Sequence, residues 1–356
     1  MNQERLSFLK RLMDQACPTG REQPAARVWR AEAGGFADRT WVDTHGNSFA
    51  VVNEGAEPRI MLAGHVDEIG LMITHVDEQG YLWITGLGGW DRQVLPGQRV
   101  RILTDDGPVL GVIGRKAIHI LKPEERKKVV EFEDLWIDIG VNSREEALEV
   151  VRIGDAAVLD YGFEILRGEL AVARAFDDRV GSFIVLEAAR RAKELGATAS
   201  IIAVGTVQEE IGKRGATTSA FGIDPHIGIA VDVGQATDTP QTDACKKAYG
   251  QAKLGGGPMI ARGPNMTPLF VEELIATAVK NEIPYQIEPC PRGTGTDANA
   301  IQLTREGVVT GLISIPNRYM HSPCEVVHLG DLDHIIELMA QTMAGIDENS
   351  TFLEEV

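Results

Sequence analysis

Four apolar, strand-like segments of this chain each end in, or run directly into, an acidic or imidazole side chain: His65, Glu210, Asp232 and His321. A fifth such group, Asp177 in the segment ARAFDDRVG, precedes a predicted helix. Histidine and carboxylate side chains without cysteine form the mixed nitrogen and oxygen ligand set that suits Zn²⁺, Co²⁺ or Mn²⁺. These five residues therefore predict a metal centre.

The number and charge of these ligands favour two metal ions over one. Five ligands exceed what one tetrahedral zinc ion needs, but they suit two ions that share a carboxylate. Two divalent ions are neutralised by three carboxylates, those of Asp177, Glu210 and Asp232, together with one bridging hydroxide. Metals about 3.5–4 Å apart lower the pKa of such a water and polarise a substrate carbonyl, so the pattern indicates a hydrolase.

Two further carboxylates, Asp67 and Glu209, are predicted to serve the site without binding metal. Alternate residues of an extended segment point to the same side, so Asp67 can lie beside His65 and hold the imidazole ring in position. Glu209 is adjacent to the ligand Glu210 and is the natural general base and then general acid. Taken alone, a pair of glutamates after a strand would be interpreted as a solvated turn.

Three other positions have a structural interpretation that we prefer. Asp178 is expected to cap the helix that follows it, or to pair with Arg179. In the segment GTGTDAN, Thr296 or Asp297 is expected to cap a helix rather than to contact substrate. His119, a lone histidine among aliphatic residues, is expected to be packed or at the surface, although assembly could bring it to a site.

The elements that must position these groups alternate between strands and helices. Continuous apolar strands followed by helices predict an α/β fold with a mixed, largely parallel sheet covered by helices. Ligands of such sheets bind beyond the carboxyl ends of the strands, where four of the five groups are expected. Helices are predicted at 2–16, 22–33, 179–195, 268–281, 297–305 and 331–345, and strands at 40–52, 59–65, 200–207, 227–233, 284–288 and 308–315.

Residues 68–167 have a different pattern from the rest of the chain. Short alternating segments separated by Gly, Pro and Asp turns predict antiparallel strands, and the segment at 156–166 is one of them. The charged stretch at 122–134 is expected to be an exposed, mobile loop. We therefore predict a catalytic α/β domain made of residues 1–67 plus 168–356, with a β-rich domain of residues 68–167 inserted between its parts.

Charge and cysteine content exclude several classes of function. The chain has 52 acidic and 35 basic residues, a net charge of -17, which argues against nucleic acid or anionic membranes as partners. Its four cysteines are far apart, so reduced thiols are more plausible than a zinc ribbon or a redox pair. No apolar run is long enough for a membrane span or a signal peptide, and we expect a cytoplasmic protein.

These motifs resemble those of the M42 family of metallo-aminopeptidases, the tetrahedral or deblocking aminopeptidases. The resemblance covers nearly the whole chain and rests on GHVDEIG (64–70), GGWDRQVLPGQRV (88–100), ARAFDDRVG (173–181), VQEEIGKRGA (207–216), VDVG (231–234), GTGTDAN (293–299) and HSPCE (321–325). Any one of these motifs would be weak evidence, whereas the set is specific.

The resemblance implies a role for each residue of the site. His65 and Asp232 would bind one metal ion, Glu210 and His321 would bind the other, and Asp177 would bridge the two. Asp67 would orient His65, and Glu209 would be the catalytic base. The metals would be zinc or cobalt, with manganese as a third candidate.

The resemblance also implies substrates and partners. The substrates would be peptides, which lose their N-terminal residue. The inserted β-rich domain would mediate dimerisation, and dimers would assemble as a tetrahedral homo-dodecamer with its active sites facing an internal chamber. The sequence does not indicate which N-terminal residue is preferred.

Two alternative functions stay open at this point. A metal-independent glycoside hydrolase of the glucanase type would need two carboxyl groups about 5–9 Å apart, but no histidines. A non-catalytic scaffold stabilised by metal is the other alternative, although structural zinc sites are usually closed and rich in cysteine.

Overall fold

The computed structural model describes residues 1–353. The helices within those residues are α1 (Gln3–Met13), α2 (Gln23–Ala33), α3 (Arg144–Val150), α4 (Phe176–Glu194), α5 (Arg214–Ile223), α6 (Asp243–Tyr249), α7 (Pro268–Lys280), α8 (Ala298–Ile301) and α9 (Leu329–Gly345). The strands are β1 (Arg39–Val42), β2 (Ser48–Val52), β3 (Arg59–His65), β4 (Gly70–Val76), β5 (Leu82–Leu87), β6 (Arg99–Thr104), β7 (Gly107–Arg115), β8 (Leu135–Asp138), β9 (Ala156–Leu159), β10 (Glu164–Ile165), β11 (Leu170–Ala173), β12 (Ser200–Thr206), β13 (Ile227–Gln235), β14 (Met259–Arg262), β15 (Gln286–Pro289), β16 (Val309–Asn317) and β17 (Glu325–His328). None of these helices combines the length and apolarity needed to cross a membrane.

Eight strands form the central sheet, in the order β1-β2-β12-β3-β13-β16-β14-β15. The four middle strands, β12, β3, β13 and β16, are parallel to one another. Strands β2 and β14 join this group in the antiparallel direction at its two sides. The sheet is therefore mixed and parallel at its centre, and the predicted α/β class is confirmed. The middle strands are almost fully buried, as their continuous apolar sequences require.

Helices pack closely on both faces of this sheet. A Cβ atom at Gly64 of β3 would lie 2.4 Å from the backbone of Gly181 in α4. A Cβ atom at Gly228 of β13 would lie 2.4 Å from Ile301 of α8. Met61 pairs with Gly228 and is three residues from Gly64, so the two glycines face opposite sides of the sheet. Glycine at both positions lets helices from either side approach the strands that carry the site.

Six strands, β4 to β9, form a closed barrel in the order β4-β5-β8-β7-β6-β9. All of their pairings are antiparallel, as the alternating pattern predicts. The barrel has a hydrophobic core of its own, with Leu71, Ile102 and Ile137 buried in it, separate from the core of the central sheet. The sequence does not predict that these strands close into a barrel. The alternation of apolar and polar residues identifies each strand but does not show which strands pair.

Two local predictions are wrong. The helix predicted at 297–305 ends at Ile301, because the next residues form a turn and Leu303, which is 75% exposed, offers no buried face to extend it. The strand predicted at 156–166 is two strands, β9 and β10, separated by residues 160–163. The first of these closes the barrel and the second pairs with β11 outside it, so the break marks where the chain leaves the barrel.

A buried ionic network joins the segment after β3 to the start of α4. Glu68 forms ion pairs with both Arg174 and Arg179, and all three side chains are at most 4% exposed. The two guanidinium groups also donate hydrogen bonds to the carbonyl oxygen of Gln15, at 2.8 and 2.6 Å. Arg179 therefore pairs with Glu68 and not with its neighbour Asp178. The network holds the N-terminal segment, the segment after β3 and the start of α4 together.

Replacing Glu68 tests how much this network stabilises the fold. We expect Glu68→Ala to lower the free energy of unfolding by about 3–5 kcal/mol, because two buried arginines lose their counterion. The matched control is Glu54→Ala, which removes an exposed pair with Arg39 and should change stability by less than about 1 kcal/mol. Urea denaturation followed by circular dichroism gives both values. Equal effects of the two substitutions would contradict the expectation.

Candidate active site

A crevice at the carboxyl ends of the parallel strands contains the predicted site residues. In the register of β3 and β13, Ala63 lies opposite Ala230. His65 and Asp232 follow two residues later on each strand, so both side chains point to the same face of the sheet. The chain leaves the neighbouring strand β12 and runs into Glu210. The topology of the sheet thus delivers groups from different parts of the chain to one place.

Asp177 lies between two histidines. Its Oδ1 atom is 3.1 Å from Nε2 of His65, and its Oδ2 atom is 3.2 Å from Nε2 of His321. Burial opposes ionisation of Asp177, but the hydrogen bonds from the two imidazoles outweigh it and hold the pKa of this carboxyl below its usual value. Each oxygen of this buried carboxylate therefore faces a different imidazole, which is the arrangement of a bridging ligand.

The remaining predicted ligands adjoin this trio. The Oε2 atom of Glu210 is 3.6 Å from Nε2 of His321. Two groups of three side chains have ligand atoms within 4.8 Å of one another: His65, Asp177 and Glu210 in the first, and His65, Asp178 and Asp232 in the second. All five residues predicted as ligands therefore lie in one cluster.

Asp67 lies beside His65, buried and with several hydrogen bonds. Nδ1 of His65 is 3.1 Å from the carbonyl oxygen of Asp67 and 3.4 Å from its Oδ1 atom. The carboxylate accepts hydrogen bonds from the backbone amides of Glu209 and Glu210 and from the hydroxyl of Thr19. A proton on Nδ1 would be held by Asp67, which leaves Nε2 facing Asp177. Asp67 thus fixes both the imidazole and the segment that carries the two glutamates.

Glu209 is buried at the edge of the cluster. Its Oε2 atom is 3.9 Å from Nε2 of His65, and its Oε1 atom is 3.9 Å from Nζ of Lys213. Burial, together with the neighbouring carboxylates and against the influence of His65, raises the pKa of Glu209 to about 7. A carboxyl group with a pKa near neutrality is able both to take and to return a proton.

Asp178 has a second role besides the one predicted for it. Its Oδ1 atom accepts a hydrogen bond from the amide of Gly181 at 3.1 Å, which is the predicted capping contact. Its Oδ2 atom accepts a hydrogen bond from the amide of His65 at 3.2 Å. The residue therefore connects the end of β3 to the start of α4. We interpret Asp178 as a residue that positions His65.

Glu325 is a site residue that the sequence patterns did not indicate. It is 2% exposed, and its two carboxylate oxygens accept hydrogen bonds from the amide of Asp177 at 2.8 Å and from the amide of His321 at 3.0 Å. It therefore holds the backbones of two predicted ligands at once. An acidic residue at the start of the buried strand β17 is the signal that could have identified it.

The predicted capping role of Thr296 and Asp297 is wrong. Asp297 occupies the N-cap position of α8, but its carboxylate accepts a hydrogen bond from the hydroxyl of Thr206 at 2.6 Å and makes none to the helix. The hydroxyl of Thr296 instead shares a hydrogen bond with Thr294. Burial raises the pKa of Asp297 to about 6. This carboxyl group is held towards the strand end and so belongs to the site.

The barrel contacts the site through two glycines that follow β5. A Cβ atom at Gly88 would lie 3.2 Å from Oε2 of Glu210, and one at Gly89 would lie 3.3 Å from Nδ1 of His321. Gly88 also has a φ of +80°, which favours glycine. Side chains here would crowd two predicted ligands. His119, elsewhere on the barrel, is exposed, as expected of a surface residue.

The electrostatics of the cluster fit a divalent metal. Burial raises the pKa of both Glu210 and Asp232 well above the usual range, and the charge of Asp177 adds to the effect. Within residues 1–353, the Oε1 atoms of Glu209 and Glu210 are buried without a hydrogen-bond partner. Buried carboxylates without partners are unfavourable, and a bound cation removes that penalty. The donor set and its surplus of negative charge therefore suit divalent ions.

We expect the thermal stability of the metal-free protein to fall as pH rises from 5.5 to 8. The pKa values of Asp297, about 6, and Glu209, about 7, are raised above those of the unfolded chain, about 4. The folded state then binds more protons in this range, so stability present at low pH is lost as pH rises through 6 and 7. Melting temperatures measured in excess chelator test this.

Glu209→Gln serves as the control for this pH dependence, because it removes one of the groups with a raised pKa and should make the fall in melting temperature less steep. Carboxyl groups with a lowered pKa, such as Asp177, stabilise the folded state above the pKa of the unfolded chain and lose that effect only at more acidic pH. They therefore do not change the stability between pH 5.5 and 8. A melting temperature that is constant or rises between pH 5.5 and 8 would contradict the expectation.

Comparison with known proteins identifies the family. The M42 glutamyl aminopeptidase family matches residues 46–338. The lysyl aminopeptidase of Pyrococcus furiosus is 40% identical over 304 residues, which cover 85% of this chain and 86% of that protein. The crystal structure of a TET aminopeptidase from a marine sediment archaeon of the Thaumarchaeota superimposes with a TM-score of 0.92 at 36% identity, over 97% of each chain.

A third similar protein is the TET1 peptidase of Pyrococcus horikoshii, which assembles into a tetrahedron or a large octahedral shell. Its TM-score is 0.84 at 33% identity, over 95% of this chain and 98% of that one. The family match spans most of the chain, and the similarity holds in both sequence and fold. This chain belongs to the M42 family of aminopeptidases and is a peptidase.

Proposed function

We propose that this aminopeptidase uses two divalent metal ions, with His65 and Asp232 binding one, Glu210 and His321 binding the other, and Asp177 bridging them. The observation that carries the proposal is the position of Asp177. Each of its two carboxylate oxygens lies within hydrogen-bonding distance of a different imidazole nitrogen. Metal ions bound in this way supply Lewis acidity towards the scissile carbonyl. Zinc and cobalt are the favoured ions, and manganese suits the same donors.

The chain's own residues would handle the proton in this reaction. Glu209 takes a proton from the attacking water and returns it to the leaving amine. Burial supports this role, because it favours the protonated carboxyl group that exists between the two transfers. Asp67 keeps the amides of Glu209 and Glu210 in place and prevents His65 from rotating.

The substrate would enter a cavity of about 760 Å³ that Asp177, Glu209 and Asp232 line on one side. The free α-ammonium group of a peptide would be held close to the metal ligands, and the family's description as aminopeptidases supports removal of residues from the N-terminus. The family is described as glutamyl aminopeptidases, and one relative is a lysyl aminopeptidase. Family membership therefore leaves the preferred N-terminal residue open.

We also propose a homo-oligomeric assembly. Residues 68–167 would be a dimerisation domain inserted into a catalytic domain of residues 1–67 plus 168–356, with dimers forming a tetrahedral dodecamer. The tetrahedral assembly of the TET1 peptidase supports this. So do the exposed apolar side chains of Leu110, Ile118 and Ile120 on the barrel. The four cysteines are unpaired, in keeping with the cytoplasmic location that we propose.

The role of Glu209 is tested by Glu209→Gln, which keeps the shape of the side chain but cannot accept the proton. We expect kcat on aminoacyl-p-nitroanilides to fall by about 10²–10⁴-fold. Metal content, measured by mass spectrometry, should be unchanged because Glu209 is not a ligand. Glu306→Gln, on the surface away from the crevice, is the control and should keep wild-type turnover. Normal turnover in Glu209→Gln would exclude the residue as the base.

Removal of metal separates the proposal from its two alternatives. We expect a chelator to abolish aminopeptidase activity, and added Zn²⁺ or Co²⁺ to restore it with two ions bound per chain. A glycoside hydrolase would cleave β-glucan with or without chelator. A scaffold would bind metal and cleave neither class of substrate. Peptidase activity that survives complete removal of metal would contradict the two-metal mechanism.

A further inference from the structure

Glu288 on β15 lies on the same face of the sheet as the proposed metal ligands. Ser314 pairs with Asp232 in the parallel register of β13 and β16. Met259 pairs with Ser314 and with Gln286, and Glu288 follows Gln286 by two residues. Paired residues, and residues two apart on one strand, point to the same side. Glu288, three strands from β13, therefore projects to the same side of the sheet as Asp232.

The carboxylate of Glu288 reaches back across the sheet towards the site. Its Oε2 atom accepts a hydrogen bond from the hydroxyl of Ser314 at 2.6 Å. Ser314 lies on the strand next to Asp232, about 5 Å away, and the carboxylate of Glu288 approaches Ser314 from the other side, across β14. Both residues line the cavity of about 760 Å³. A side chain that extends from a substrate held at the metal ligands can therefore meet Glu288.

Glu288 has no cationic partner in the described part of the chain. Its hydrogen bond from Ser314 satisfies one oxygen, and none of the ion pairs formed within residues 1–353 involves it. Burial raises its pKa, which reflects the same lack of a neighbouring positive charge. Two basic residues line the cavity, and neither is paired with Glu288. Lys213 donates to the carbonyl of Gly295 beside Glu209, and Arg292 is exposed.

Apolar side chains form part of the wall of this cavity. Leu312 precedes Ser314 by two residues on the same strand face, and Met320 lines the same cavity. An apolar wall that ends in a carboxylate matches a side chain with a methylene stem and a cationic end. An acidic N-terminal residue would instead meet a like charge at the end of this wall.

We propose that Glu288 is a specificity residue that selects peptides with lysine or arginine at the N-terminus. The ammonium or guanidinium group pairs with the carboxylate that Ser314 orients, and the methylene stem packs against Leu312 and Met320. This inference rests on the proposed aminopeptidase function, because it assigns the substrate class of the same site.

The charge of the substrate side chain is isolated by comparing lysyl and norleucyl p-nitroanilides, which share an unbranched stem. We expect the metal-loaded wild type to have a higher kcat/KM for the lysyl substrate. In Glu288→Gln the ratio of lysyl to norleucyl kcat/KM should fall at least tenfold, and arginyl substrates should follow. Ser314→Ala should lower the same ratio less, because it removes the hydrogen bond that orients the carboxylate of Glu288 but leaves its charge in place.

A matched control is Glu272→Gln, which changes an exposed glutamate that pairs with Arg262 outside the cavity. It should leave both the ratio and the turnover as in the wild type. Glu288→Lys reverses the charge and should shift the preference towards glutamyl p-nitroanilide. Two bound metal ions per chain, measured by mass spectrometry, verify that the variants retain the site.

The outcomes separate this inference from the proposed function. If the metal-loaded wild type cleaves no aminoacyl substrate, the proposed function itself fails. If it cleaves norleucyl and lysyl substrates but the ratio is unchanged in Glu288→Gln, only the assignment of Glu288 is overturned. A wild-type preference for glutamyl substrates that Arg292→Ala abolishes would overturn it as well, in favour of recognition by Arg292.

Discussion

The structure depends on one buried carboxylate held between two imidazoles. Asp177 is in contact with His65 through one oxygen and His321 through the other, although the three residues come from distant parts of the chain. Its backbone amide is bound by Glu325, which also binds the amide of His321. The end of β3, the start of α4 and the segment before β17 must therefore meet at this point.

Such a concentration of charge in the interior requires compensation, because buried carboxylates without partners are unfavourable. Asp67, Asp178 and Glu325 obtain it from backbone amides, whereas Glu68 obtains it from Arg174 and Arg179. Among the proposed ligands, Glu210 has a buried oxygen without a partner and Asp232 accepts one backbone hydrogen bond, from Val233, so divalent cations suit them. Hydrogen bonding thus distinguishes the carboxylates that build the site from those that are available to a ligand.

The barrel and the sheet have separate cores, yet they share the site. Gly88 and Gly89 bring the backbone of the barrel within van der Waals range of Glu210 and His321, and a side chain at either position would disturb that contact. Any movement of the barrel, including one imposed by assembly, would therefore act directly on two proposed ligands. The edge strand β15 contributes Glu288 to the same crevice, where we propose that it contacts the substrate side chain.

The sequence by itself determined the residue types of the site and the elements that carry them. Histidine and carboxylate groups at the ends of apolar strands indicated a metal hydrolase on an α/β sheet, because strand ends converge whatever the details of packing. Only the tertiary structure placed Glu325 and Asp297 near the predicted ligands and led to the proposal for Glu288. Each depends on hydrogen bonds or register between residues far apart in the chain, which local patterns do not encode. For the same reason the closure of the barrel and the early end of α8 at Ile301 were decided by packing, not by periodicity.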